Sequence, residues 1–165
     1  MTNTTKQVRF LCRAALIGAL YCVLTYVSAL LGLSSGAIQI RLSEILTILP
    51  AFTPAAIPSL FIGCALSNLL TGCALWDVVF GSIATLLGAI GTHYISRINV
   101  HLAPIPPILA NATIVPFVLK YTYGIPGNLW YLALTVGLGE VIACGLLGEY
   151  LIRALQKHGS RIFRD

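Results

Sequence analysis

Long apolar runs cover most of this 165-residue chain, and only 9% of its residues are charged. A soluble domain carries about 25% charged residues, so this composition favours an integral membrane protein. A bilayer core of about 30 Å requires about 20 apolar residues per helix, which leaves room for about six spans and no separate soluble domain. We therefore predict an all-α bundle of six transmembrane helices that forms a single membrane domain over residues 1–165. The predicted spans are residues 9–31, 39–50, 55–70, 75–96, 105–120 and 129–155.

Basic residues set the predicted orientation of the bundle. Most of the ten Lys and Arg residues lie near the two termini or in one central connection. Cytoplasmic segments of membrane proteins carry an excess of Lys and Arg, so both termini are expected in the cytoplasm of a multi-pass protein of the cell (plasma) membrane. The residues that carry this prediction are Lys6, Arg9, Arg13, Arg97, Arg153, Lys157, Arg161 and Arg164.

Three acidic residues, Glu44, Asp77 and Glu140, lie within apolar stretches. A charge at the centre of a bilayer costs about 2.5–3.5 kcal/mol on insertion scales, and such residues are functional by default. Glu140 lies about 16 Å, at 1.5 Å per residue, from the start of the sixth span, and Asn111 lies at a similar depth in the fifth. We therefore expect Glu140 and Asn111 to meet across neighbouring helices near the midplane.

The remaining unusual side chains concentrate in the halves of the spans that are expected to face outward. This asymmetry predicts a polar pocket open to the outside. Glu149, on the inner side, is expected to pair with Arg153 four residues later. The outward residues are Gln39, Arg41, Glu44, Asn68, Trp76, Asp77, Lys120, Tyr121, Tyr123, Asn128, Trp130 and Tyr131.

Each polar motif allows a structural and a functional interpretation. Arg41 and Glu44, three residues apart, form an ion pair within the short second helix, contact a ligand, or do both. Asp77 either caps the fourth helix or, with Trp76, forms the mouth of a pocket for a flat heteroaromatic cation. Glu140 either makes an interhelical hydrogen bond or binds the ligand, and the small residues before it allow close approach.

The first span carries two pairs of small residues at a spacing of four, Ala14 with Gly18 and Ala15 with Ala19. Small residues at this spacing let helices pack closely in membranes. The pairs indicate either packing within the bundle or a docking face for a second membrane protein.

Several chemical signatures do not occur in the sequence. It has no GxxxxGK[ST] phosphate loop and no GxSxG nucleophile motif. Its histidines, His93, His101 and His158, lack metal-ligand spacing. We expect no metal and no cofactor in this chain, so active transport would draw its energy from a partner or a gradient. The five cysteines form no CxxC pair, and we expect most of them, those in apolar helical runs, to act as small hydrophobic residues. Cys73 is the one to which this expectation applies least.

Four segments together resemble the QueT family of queuosine-precursor transporters, which are substrate-binding (S) components of energy-coupling factor (ECF) transporters. The resemblance extends from about Leu11 to Leu155. Its most specific parts are Arg41-Leu-Ser-Glu44 and Gly137-Leu-Gly-Glu140. The four segments are residues 38–44, 50–58, 68–77 and 137–140.

The resemblance implies a small S-component bundle that binds a vitamin-like molecule from the outside and performs no covalent chemistry. It implies docking, through Ala15 and Ala19, on a transmembrane coupling protein driven by two cytoplasmic ATPases that use ATP. The implied ligand is a 7-deazaguanine base, either the aminomethyl precursor or queuine. S components for cobalt or nickel begin Met-His, whereas this chain begins Met1-Thr2.

The implied ligand assigns roles to the polar residues. Glu140 or Glu44 would accept the paired N–H groups of the guanine-like edge, and an amide of Asn68, Asn111 or Gln39 would complete the set. Asp77 would attract a cationic aminomethyl group. The candidate substrate-binding residues are Glu140, Glu44, Arg41, Asn68, Asp77, Asn111, Gln39, Trp76, Lys120 and Tyr121, and the candidate docking residues are Ala15, Ala19, Ala14 and Gly18.

Three other functions stay open on the sequence. The chain could be an S component for another small nitrogenous vitamin. It could be a small integral-membrane enzyme with Glu140 as a general acid or base. It could also be a proton-coupled carrier that works without partner subunits.

Overall fold

The computed structural model describes residues 3–33 and 39–162, with side chains as far as residue 157. These residues form helices joined by short connections, and no strand occurs among them. The principal elements are α1 (Asn3–Leu30), a 3-10 helix (Leu42–Ala51), α2 (Ala56–Leu70), α3 (Leu75–Ile95), α4 (Ile105–Tyr121), α5 (Leu129–Glu140), a π-helix (Val141–Leu147) and α6 (Gly148–Ile162).

Each of the six predicted spans corresponds to a helical segment. Within the described part of the chain, four helical segments are long and apolar enough to cross a bilayer, whereas the 3-10 helix and α2 are shorter apolar helices. At about 1.5 Å per residue, the 15 residues of α2 extend for about 22 Å. The crossing of the membrane by these two short segments, and the side on which the termini lie, stay predictions. The four long segments are Asn3–Leu30, Leu75–Ile95, Val100–Tyr121 and Leu129–Lys157.

The 3-10 helix is an internal element around which the longer helices pack. Its Ile48 is fully buried and belongs to one core cluster with Leu60 of α2 and Ile152 of α6. The helix is anchored at both ends by hydrogen bonds to its neighbours. The Leu42 amide donates to Ser28 Oγ of α1 at 2.8 Å, and His93 Nδ1 of α3 lies 2.9 Å from the Pro50 carbonyl oxygen.

The sixth predicted span is not one regular helix. α5 ends at Glu140, the next seven residues form a π-helix, and α6 follows directly. π-helical turns inside α-helices are rare and frequently occur at functional sites. Glu140 therefore lies at a change in helical geometry, which its neighbours in the sequence did not indicate.

The bundle has two chemically different ends. At one end, Glu149 Oε1 accepts from Arg153 Nε at 2.9 Å and lies 2.9 Å from His101 Nδ1, which confirms the predicted pairing with Arg153. At the opposite end, Asp77 contacts Arg41 and Tyr123. We call these the Arg153 end and the Asp77 end.

The small residues of α1 face two directions. Gly18 packs against α2, where a methyl group in its place would lie 3.4 Å from the Ser59 carbonyl oxygen. Ala14 is half-buried, whereas Ala15 and Ala19 are exposed. Only the Ala15–Ala19 pair therefore lies on the outer surface of this chain.

Candidate substrate site

The three acids that the sequence singled out are all buried, at 2% exposure for Glu44, 4% for Asp77 and 9% for Glu140. They come from the 3-10 helix, the first turn of α3 and the last residue of α5. Burying a charged or polar group is costly unless it is hydrogen-bonded, so their partners define the site.

Two of the acids meet in what we call the Glu140 cluster. Asn111 Nδ2 donates to Glu140 Oε1 at 3.0 Å, which confirms the expected meeting, and lies 3.5 Å from Glu44 Oε2. The Tyr21 hydroxyl donates to Glu44 Oε1, and the Cys144 thiol lies 3.1 Å from Glu140 Oε2. Side chains from α1, the 3-10 helix, α4, α5 and the π-helix therefore converge on one buried point.

The third acid is the centre of a second set of contacts, the Asp77 cluster. Arg41 Nη2 lies 3.7 Å from Asp77 Oδ2, and Arg41 Nη1 lies 3.3 Å from Asn68 Oδ1. The Tyr123 hydroxyl donates to Asp77 Oδ2 at 3.0 Å and accepts from the Ala74 amide at 3.0 Å. Partial burial and the nearby Asp77 carboxylate raise the pKa of Tyr123, against the effect of the Ala74 hydrogen bond. The phenol therefore stays protonated and donates.

These contacts decide between the structural interpretations offered by the sequence. Arg41 lies just before the 3-10 helix in extended backbone, and its ion-pair partner among the described residues is Asp77. The proposed internal pair with Glu44 is therefore wrong, because the backbone of Arg41 is extended and its guanidinium group is directed to Asp77 instead. Asp77 does not cap α3 either, since the cap residue is Ala74 and no side-chain cap hydrogen bond forms.

A cavity of about 480 Å³ lies beside the Asp77 cluster. Pockets for small molecules have volumes of about 300–1,000 Å³, so this cavity has the size of a ligand site. Its lining residues are Thr25, Ala29, Gln39, Arg41, Asn68, Thr71, Cys73, Asp77, Leu119, Tyr123 and Ile125.

A second cavity, beside the Glu140 cluster, has a volume of only about 20 Å³. A cavity needs about 10–15 Å³ to hold one water, so this one accommodates a water and not a heterocycle. Gln39 and Arg41 line both cavities and separate them. The lining residues of the small cavity are Gln39, Arg41, Glu44, Gly81, Thr85, Asn111, Val115, Val136 and Glu140.

Three candidate residues lie away from both cavities. Trp76 and Tyr121 line an apolar groove of about 640 Å³ between α3 and α4, and they are 60% and 72% exposed. Trp76 stacks on Phe80, which places its ring apart from Asp77. Lys120 is half-buried in the last turn of α4.

Sequence reasoning missed Tyr21, Thr85 and Cys144 as parts of the site. Tyr21 is 1% exposed within an apolar run. Because a buried tyrosine hydroxyl needs a hydrogen-bond partner, a tyrosine in that run could have been predicted to contact a polar group. Cys144 follows Glu140 by one helical turn. The expectation that such a cysteine acts as a small hydrophobe is wrong here, because its thiol contacts a carboxylate.

The Glu140 cluster also offers atoms that can ligate a metal. Glu44, Glu140 and Cys144 each place one potential ligand atom within 4.8 Å of the others. Metal ligation through sulfur requires the thiolate, whereas here the protonated thiol donates a hydrogen bond to Glu140. A cation would have to displace that proton.

The apolar helices indicate a multi-pass helical membrane protein, and its buried polar clusters lie beside a cavity of ligand size. The chain matches the family model described as QueT transporter over residues 11–157. It therefore belongs to the QueT transporter family, whose members are transport proteins. No curated protein and no solved structure showed a significant match to the chain.

Proposed function

We propose that this protein is the substrate-binding S component of an ECF-type, ATP-driven vitamin importer in the plasma membrane. Its substrate is a queuosine precursor, a 7-deazaguanine base such as the aminomethyl form or queuine, taken up from the outer side. The observation that carries the proposal is the bridge from Asn111 to the buried carboxylates of Glu44 and Glu140. Membership of a transporter family supports transport rather than catalysis.

The Glu140 cluster matches the hydrogen-bonding pattern of a guanine-like edge. Such an edge presents a ring N–H and an amino group side by side, and one carboxylate has acceptor sites for both. In the structure, the Asn111 amide and the Cys144 thiol donate to Glu140. A base would replace these neutral donors with its own, so the exchange leaves no carboxylate unpaired.

Cavity size supports one arrangement of the ligand under this proposal. The small cavity has room for only one water, so a base at Glu140 would require Gln39 or Arg41 to move, whereas the 480 Å³ cavity has room for the substituent. A cationic aminomethyl group there would compete with Arg41 for Asp77, which are 3.7 Å apart. That distance is longer than a hydrogen bond, so the aminomethyl group would displace no hydrogen bond between Arg41 and Asp77 and would share the charge of the carboxylate with Arg41.

Energy for uptake comes from partner subunits under this proposal. The partners are a transmembrane coupling protein and two cytoplasmic ATPases, and the exposed Ala15–Ala19 pair of α1 is the docking surface. The chain itself binds and releases the base without covalent chemistry.

The test is calorimetric titration of the purified protein with aminomethyl-deazaguanine, queuine and guanine. We expect submicromolar binding of at least one deazaguanine. Glu140→Gln should weaken it by more than about tenfold, or about 1.4 kcal/mol, because an amide cannot accept both N–H groups. Glu149→Gln is the matched control and should bind normally, because Glu149 lies at the Arg153 end.

Other outcomes would replace the proposal. Absence of binding to all three bases, with binding of another nitrogenous vitamin, would indicate a different S component. Conversion of a base to product by the purified chain would indicate an enzyme. Uptake that persists without cytoplasmic ATPases would indicate an independent carrier.

A further inference from the structure

The main chain of Gln39 rests directly on α5 at Gly139. A methyl group at Gly139 would overlap the Gln39 carbonyl oxygen and lie 3.0 Å from the carbonyl carbon. Both are backbone atoms, so no side-chain rotation relieves the overlap. At Gly137, by contrast, a methyl group would lie 3.7 Å from the Ala112 Cβ, an ordinary contact. Of these two positions, only position 139 lacks room for a side chain and therefore requires glycine.

The segment that rests on Gly139, residues 39–41, is held on its other side by the turn that follows α1, and the residue after it is held by α1 itself. We call this segment the strap. The Ile40 amide donates to the Leu33 carbonyl oxygen at 2.9 Å. The Leu42 amide, immediately after the strap, donates to Ser28 Oγ at 2.8 Å. The strap is therefore fixed between α1 and α5 through its backbone.

The strap lies between the two cavities. Gln39 and Arg41 line the 480 Å³ cavity and also the small cavity beside Glu140. These two residues are the ones that the two cavity linings have in common, so the strap lies where the cavities adjoin. Gly139 directly precedes Glu140 in the chain.

We propose that Gly139 is a positioning residue, which seats the strap against α5 and thereby retains a molecule bound at Glu140. The identity of that molecule as a deazaguanine rests on the proposed function. An alanine at position 139 displaces the strap, with Gln39 and Arg41 on it, and leaves the chemical identity of every candidate substrate-binding side chain unchanged. Its main effect falls on the dissociation rate, as is usual for changes that leave the encounter surface intact.

The first test compares Gly139→Ala with Gly137→Ala in a radioligand chase with aminomethyl-deazaguanine on the purified full chain. We expect Gly139→Ala to raise the dissociation rate by at least about tenfold with a much smaller change in the association rate. Gly137→Ala should leave both rates unchanged. Ser28→Ala removes the acceptor of the Leu42 amide and so loosens the strap from the α1 side. Ser28 contacts neither α5 nor the cavities, and this change should also raise the dissociation rate.

The second test needs no ligand. Hydrogen exchange measured over residues 39–44 reports the Ile40, Leu42 and Glu44 amides, which are hydrogen-bonded in the folded protein. Exchange there should be faster in Gly139→Ala and in Ser28→Ala than in wild type and Gly137→Ala. If Gly139→Ala does not fold, Ser28→Ala still decides both measurements.

The outcomes separate this inference from the proposed function. Unchanged dissociation in Gly139→Ala and Ser28→Ala, or exchange over residues 39–44 equal to that of wild type in both, would overturn the role of Gly139. Failure of wild type to bind any deazaguanine would overturn the proposed substrate, whereas the exchange comparison would still decide how the strap is held.

Discussion

The buried carboxylates of this protein depend on neutral hydrogen-bond donors. The Tyr21 hydroxyl donates to Glu44, and the Tyr123 hydroxyl donates to Asp77. The Asn111 amide donates to Glu140. Hydrogen bonds to charged groups contribute about 1.5–3 kcal/mol each, and leaving a buried acceptor unpaired is costly. Under the proposed function, neutral donors would have an advantage, because the N–H groups of a bound base would substitute for them without a change in charge.

Tyr21→Phe tests this dependence at one residue. The change removes the donor to Glu44 and leaves the shape of the ring unchanged. We expect a loss of about 1–3 kcal/mol in the free energy of unfolding, seen as a melting temperature lower by several degrees. Tyr26→Phe, on the same helix, is the control, because Tyr26 is 55% exposed. Equal melting temperatures for the two variants would show that the Tyr21 hydroxyl contributes no stability.

Part of the site could be predicted at the residue scale from depth alone. Glu140 and Asn111 were expected to meet because their distances along two spans place them at one level, and they do. Tyr21 and Cys144 were missed because a pattern of apolar residues assigns Tyr and Cys to the hydrophobic face. The partner of Arg41 was wrong because the spacing argument presupposed a helix, whereas the backbone there is extended.

At the scale of elements, the sequence located helices but not their type. Hydrophobicity and prolines placed a short helix near residues 39–50, and one forms at Leu42–Ala51. Its 3-10 form, and the π-helix after Glu140, depend on which backbone carbonyl oxygen accepts the hydrogen bond from each amide. Tertiary contacts determine that choice, among them Ser28 with Leu42, and periodicity does not encode them.

The outer face of α1 carries its own prediction. Ala15→Trp places a large ring where a partner helix would approach, so uptake by cells that contain the complete transporter should fall severely. Binding of the base to the purified variant should persist, because Ala15 is exposed and far from both cavities. Leu20→Trp is the control, since residue 20 lies 140° around the helix from residue 15. Normal uptake by Ala15→Trp would place the docking surface elsewhere.

At the scale of the whole molecule, polarity is divided between the two ends. The Arg153 end holds a surface network of Glu149 with Arg153 and His101, whereas the Asp77 end holds buried polar clusters and the ligand-sized cavity. The excess of Lys and Arg at one end predicts that this end faces the cytoplasm. The cavity would then face outward, which is the orientation that an importer requires.

Orientation can be measured with single cysteines at the two ends. Ile98→Cys lies in the α3–α4 connection at the Arg153 end, where Ile98 is 83% exposed, and Pro126→Cys lies in the exposed α4–α5 connection. A membrane-impermeant maleimide should label Pro126→Cys in intact cells and Ile98→Cys only after permeabilisation, with the parent protein giving the background from native thiols. The charge distribution predicts that residue 98, beside Arg97, lies in the cytoplasm, so the reverse labelling pattern would invert the predicted topology. An inverted topology would direct the 480 Å³ cavity toward the cytoplasm and would exclude capture of substrate from the outer side.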